Sequence, residues 1–158
     1  MSRPAGRNAD SGTWMVVVAG AALIAYGIFF VIRNFNGFIE LGLSPAHIGA
    51  TPAEIRAFSP RLYNYISHLQ VAIAGFIMAL GVAVISVAWY GLRERQRWSA
   101  WTVMGVVIVA LVVALPLHYV YGLATLGHLG ALYLDVVLLL LGSGLSLRAH
   151  PSVAVEKR

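Results

Sequence analysis

LGHLGALYLDVVLLLLGSGLSL, residues 126–147, decides the fold. Its 22 residues exceed the roughly 20 needed to cross the hydrocarbon core of a bilayer, and Asp135 is the one charged residue among them. A carboxyl at that depth costs about 2.5 kcal/mol or more, so Asp135 is predicted to face protein or a wet cavity rather than lipid. Three further windows, Trp14–Ile32, Ile66–Tyr90 and Ser99–Leu117, meet the same length and polarity test. The expected fold is all-α, an integral membrane four-helix bundle in one domain over 14–148. A disordered cytoplasmic tail (1–13) and a second, basic cytoplasmic tail (149–158) flank it.

Composition agrees. Of 158 residues, 59% are hydrophobic and 11% charged, against about 25% charged in soluble domains. The spans use up nearly the whole chain, which leaves no room for a separate soluble domain. A net charge of +5 raises the question of nucleic acid, but the basic residues sit at span ends and form no stripe, so no nucleic-acid partner is expected. They read as topology. With the N-terminus inside, Arg3, Arg7, Arg93, Arg95, Arg97, Arg148, Lys157 and Arg158 are cytoplasmic, while Arg33, Arg56 and Arg61 are outside. Eight against three fits the positive-inside rule. Trp14, Trp89, Trp98 and Trp101 then fall at the inner interface, and Tyr63, Tyr65, Tyr119 and Tyr121 at the outer one. The 19-residue first window is too long for a signal-peptide core and lacks a small-x-small cleavage pattern, so it reads as a retained helix.

With no cysteine, the sequence excludes disulfides, thiolate catalysis, cysteine-held iron–sulfur clusters and haem attached through Cys-x-x-Cys-His. The first outer loop, Arg33–Ser59, is too long for a plain turn. In it, Thr51-Pro52-Ala53-Glu54 is a capping box with proline at the first helical position, which predicts a short surface helix over Pro52–Phe58. Ser59-Pro60 repeats the signal and starts the second span. Gly20 and Gly27 on the first helix, and the Gly75, Ala79, Ala83 stripe on the second, predict close helix contacts. The short Leu92–Arg97 turn predicts that helices two and three are antiparallel neighbours. Pro116 is expected to end or kink the third helix.

Polar residues at the outer end supply the candidate site. His47, His68, His118 and His128 all fall on that side, and Arg61, Asn64 and His68 recur at helical spacing. His128 lies seven residues, about 10 Å, above Asp135 on one face. Tyr26 reaches a similar depth on helix one, which predicts a Tyr26–Asp135 hydrogen bond. Two readings follow. Asp135 and the histidines are packing and interface groups, or Asp135, His128, His68, Arg61, Tyr26 and His118 line a pocket for a headgroup, a quinone or a proton. Bis-histidine haem ligation by His68 with His118 or His128 belongs to the second reading. No spacing supports a metal site, and no cofactor is specified. The Arg93, Arg95, Arg97 turn with Trp98 and Trp101 is a lipid anchor.

Ser59-Pro60-Arg61-Leu62, the polar helix start with His68, and Gly91-Leu92-Arg93-Glu94-Arg95-Gln96-Arg97-Trp98-Ser99-Ala100-Trp101 resemble a pattern in uncharacterised small four-span bacterial membrane proteins. The turn of those proteins reads Gly-x-Arg-Arg-Gly-Glu-Arg-Trp-Ala-Trp. This chain departs from it at Glu94, Arg95, Gln96 and Ser99. The overall plan is similar to the DoxX-like group of four-helix proteins, associated with quinone-linked or accessory roles. The resemblance implies the fold and a bacterial inner membrane, and carries no catalytic residue across. The function expected is that of a non-enzymatic accessory or structural subunit of a larger membrane assembly, with a membrane-protein partner or a second copy beside it. The alternative is a quinone- or haem-associated redox subunit using the outer His/Asp pocket.

Overall fold

A computed structural model of the chain describes residues 5–148, with side chains from residue 11 onward. The described residues are helical with no strand: α1 (Ala5–Asn36), α2 (Pro45–Ile48), α3 (Pro52–Phe58), α4 (Pro60–Val87), α5 (Arg97–Val120) and α6 (Leu126–Arg148). Four segments, Ser11–Asn36, Pro60–Leu92, Arg97–Val120 and Leu126–Arg148, are long and apolar enough to cross a membrane, which makes this a multi-pass membrane protein. The bundle has a loop end, carrying residues 37–59, and a turn end, carrying residues 93–96.

α1 is the central helix, with α4 on one side and α6 on the other, while α5 packs mainly on α6. Missing side chains explain the closeness of α1. A Cβ on Gly20 would lie 2.9 Å from Gly81 O, and one on Gly27 2.9 Å from Ala74 O. Against α6, a Cβ on Gly142 would lie 2.7 Å from Gly12 O. Backbones can meet at this distance only where glycine removes the intervening atom. Gly20 and Gly27 therefore pack as the sequence predicts. The α4 side of the seam is Ala74, Met78, Gly81 and Ile85, however, and not the stripe Gly75, Ala79, Ala83, which is exposed with nothing within 4 Å of a Cβ on Gly75. One residue of register, about 100° of rotation, separates the two.

One helix boundary differs from expectation, and of the two outcomes expected at Pro116, an end or a kink, the end does not occur. α1 begins at Ala5, within the segment expected to be a disordered tail, because Gly12 and Thr13 are buried and Gly12 lies against Gly142 and Ser146 of α6. Residues 1–4 and the tail 149–158 lie outside the described residues. α5 runs through Pro116 to Val120 and stops at Gly122, whose φ of 70° no helix accepts.

The core, built from Val16, Ala19, Val84, Ala88, Leu92, Ala100, Val103, Val107 and Leu139, lies toward the turn end. There α4 passes through a π-helical turn, Ala88–Leu92, in which Arg93 N–H bonds Ala88 O at 3.0 Å. α4 and α5 are neighbours chiefly at this turn, where Gly91 meets Ser99. Toward the loop end Leu62, Leu69, Ile73 and Phe76 of α4, and Ile108, Val109, Val112 and Val113 of α5, are exposed. Helices two and three are thus antiparallel but paired over only part of their length.

α3 forms as predicted, over Pro52–Phe58. Glu54 Oε2 accepts from Thr51 N (2.7 Å) and Thr51 Oγ1 (2.8 Å), while Thr51 Oγ1 accepts from Glu54 N at 3.2 Å. These bonds hold the Glu54 carboxyl below the usual glutamate range. Ser59 closes α3 and caps α4, accepting from Leu62 N at 3.2 Å. The single turn α2 was not anticipated. Its device is local too, with Ser44 N–H donating to His47 Nδ1 at 3.1 Å.

Candidate functional site

The loop end of the bundle is closed by a strap, residues 37–43, tied to three helices. Arg33 Nε of α1 donates to Ile39 O (3.1 Å) and Gln70 Nε2 of α4 to Phe38 O (3.0 Å). Thr125 Oγ1, just ahead of α6, donates to Gly42 O at 2.9 Å. Gly42 has φ 76° and lies against the Gly127–His128 backbone so closely that a Cβ there would overlap it. Two constraints thus require glycine at 42.

Under the strap sits His128, 7% exposed. Its Nδ1 is 3.0 Å from Leu41 O and its Nε2 3.4 Å from Glu40 Oε2. With Nδ1–H donated to the carbonyl, Nε2 faces the carboxylate. The His118 ring lies 5.2 Å away, tilted by 34°, its Nδ1 bonded to Ala114 O at 2.9 Å. The cluster is therefore Glu40, His128 and His118. Sequence reading found both histidines and missed Glu40, because a lone glutamate in a loop carries no periodicity. Leu41 and Gly42, which place it, become legible only once α6 is docked.

Asp135 lies two helical turns farther into α6 on the face toward α1, 8% exposed. The prediction that it turns inward holds. The predicted hydrogen bond to Tyr26 does not form: Asp135 Oδ1 is buried without a partner among the described residues, and Tyr26 stacks on Phe30 at 6.0 Å. His68 and Arg61 do not join the cluster either. Ser67 and Gln70 turn toward α1 and the strap, so the intervening His68 is rotated away. It is exposed, as are Arg61 and Asn64. His47 is held in α2 by Ser44.

As a chemical site the arrangement leaves neither nitrogen of His128 free to ligate iron, because both already face oxygens. Among the described residues no group of three or more His, Asp or Glu could hold a metal ion. The chain matches no family model, and neither a curated protein nor a solved structure matches it.

Proposed function

We propose that this chain is an accessory subunit of a larger assembly in a bacterial inner membrane, with both termini in the cytoplasm and its partner seated along α4. One observation carries the reading. Arg61, Asn64, His68, Gly75, Ala79 and Ala83 share an exposed face of α4, turned away from the α1 seam. Polar side chains near the end of a span, followed by small residues spaced by four, make a surface on which a neighbouring helix packs closely and hydrogen-bonds. Among the described residues no other helix covers it. The redox alternative draws less support, since His68 is directed away from His118 and His128 and, among the described residues, both nitrogens of His128 already face oxygens.

The test is isolation from native membranes in mild detergent followed by mass measurement of the intact complex. A stoichiometric membrane protein that is lost from Ala79→Leu, while the variant itself stays folded, supports the reading. A monomer, or a Soret band with no protein partner, overturns it. Orientation is checked separately with single cysteines replacing Glu94 and Ala50. An impermeant thiol reagent should label position 50 and spare position 94 in intact spheroplasts.

A further inference from the structure

A cavity of about 600 Å³ opens at the loop end between the end of α1, α3 and the start of α4, lined by Asn34, Phe35, Phe38, Ala53, Arg56 and Tyr63 among others. The volume is within the range of small-molecule sites, roughly 300–1,000 Å³. It is separate from the Glu40–His128 cluster and from the exposed face of α4.

Its wall is a built stack. The Arg56 guanidinium lies 4.1 Å from the centre of the Tyr63 ring, and the Phe38 ring lies 4.1 Å from it at 11°. One ring has two faces, so Tyr63 is sandwiched between the cation and Phe38. Phe38 adopts φ 62°, a left-handed conformation rare for a bulky side chain. It is held there by its N–H on Arg33 O (2.9 Å), by Gln70 on its carbonyl and by burial of its ring to 5% exposure. Strain sustained by surrounding bonds is characteristic of sites that position a group. The group positioned here is Arg56.

Arg56 has no carboxylate partner among the described residues, where the one ion pair joins His128 and Glu40. The nearest carboxylate in sequence, Glu54, is occupied by Thr51. Stacking covers a face of the guanidinium and leaves its planar edge, the edge that binds phosphate or carboxylate in a fork. Asn34 gives its amide to Ser67 Oγ at 2.9 Å and keeps a carbonyl oxygen with no donor. Phe35, exposed at the end of the first span, and Ala53 add apolar surface beside these groups. The cavity therefore combines a fixed cation and an apolar rim at the level where a span meets headgroups, with the Asn34 carbonyl oxygen buried in its wall.

We propose that this cavity binds the anionic phosphate head of an amphiphile, with Arg56 gripping the phosphate and the acyl portion lying along Phe35. The probe is dihexanoyl phosphatidylglycerol, titrated onto the full chain in a neutral detergent and followed by ³¹P line broadening and by the thermal midpoint. Dihexanoyl phosphatidylcholine and inorganic phosphate are run in parallel. Saturable binding at least tenfold tighter for the anionic lipid than for either comparator is expected. Arg56→Gln should weaken it tenfold or more, Arg56→Lys less, and Arg61→Gln, outside the cavity, by under twofold. Equal binding of inorganic phosphate would remove the amphiphile from the proposal, and equal binding of the zwitterionic lipid would remove the anion. Equal losses for Arg56→Gln and Arg61→Gln would reduce the effect to general basic charge and overturn the site. Should Arg56→Gln fail to unfold cooperatively, Ala53→Trp decides, since filling the cavity must abolish binding if the cavity is the site.

Discussion

Replacing Asp135 by leucine should stabilise the bundle. The residue is 8% exposed at the α1–α6 contact, and its Oδ1 has no hydrogen-bond partner among the described residues. A buried polar atom without a partner costs about 1–3 kcal/mol relative to one that is satisfied. Leucine removes that cost and adds apolar contact. It also adds branching to a tight seam, and overpacking of this kind takes back about 1 kcal/mol or more. The expected net gain is about 1 kcal/mol for Asp135→Leu. Asp135→Asn keeps the shape and gains no partner, so it should stay within about 0.5 kcal/mol of the parent. Thermal midpoints of the purified chain in one detergent, at one pH, give the ordering Leu above Asp, with Asn near Asp. A Leu variant less stable than the parent by 1 kcal/mol or more would mean that the carboxyl is bonded in the folded protein, and the reasoning would fail. If the ordering holds, Asp135 is retained against stability, as expected for an ionisable group that serves a function within a membrane.

The glycine register supplies a paired test. Gly81→Ala places a Cβ 2.5 Å from Gly20 O and should destabilise by about 1–3 kcal/mol, whereas Gly75→Ala meets nothing within 4 Å and should leave the midpoint unchanged or slightly higher. Equal losses in detergent would place α4 in the wrong rotation. Glu54 gives a pH dependence. Its carboxyl is held below the usual range by Thr51, so its contribution to α3 is complete above the ordinary glutamate pKa of about 4.3 and is lost as pH falls through the depressed folded value. Hydrogen exchange over residues 51–58, corrected for intrinsic rates, should stay constant from neutral pH to about 5 and rise only in stronger acid. Loss of protection already between pH 7 and 5 would argue that another group holds the cap. At the strap, Gly42→Ala should accelerate exchange across residues 37–43, because its Cβ overlaps the Gly127–His128 backbone.

The four spans and the surface helix were legible because each rests on a local signal. Hydrocarbon thickness sets the length of an apolar run, and Thr51-Pro52-Ala53-Glu54 contains both halves of its own cap. What was not legible is rotational. On α4 the small-xxx-small spacing singles out Gly75, Ala79 and Ala83, while Ala74, Met78 and Gly81 on the adjoining face show no such pattern. The structure packs the second of these faces, because Gly20 and Gly27 of α1 are themselves the gaps: they admit Gly81 and Ile85, and Ala74 and Met78, against the α1 backbone, so the partner face needs no small-residue stripe. The same rotation turns His68 outward, since it is bound to follow Ser67, which is committed to Asn34. A pocket built from His68, Arg61 and His128 was thus an inference about height along the membrane, which helical rise fixes, combined with an inference about azimuth, which only the packed partner fixes.

The site's chemistry failed to show in the sequence for a related reason. Glu40 reaches His128 because a strap bends over the end of α6, and that bend depends on Gly42 touching Gly127 from 85 residues away. Asp135, by contrast, was conspicuous from the start, yet its expected partner was absent. A lone charge in an apolar run announces that a cost is being borne, while the group that relieves it must be read from the other helices. Tyr26 faces Phe30 instead. The conspicuous residue and the assembled cluster are therefore distinct: His128 is satisfied by Leu41 and Glu40 under the strap, and Asp135 lies two turns deeper with an oxygen that has no partner among the described residues. The two groups lie on one face of α6 about 10 Å apart, too far to hold one small ligand between them: the face that helical periodicity assigns them is shared, while their partners are not.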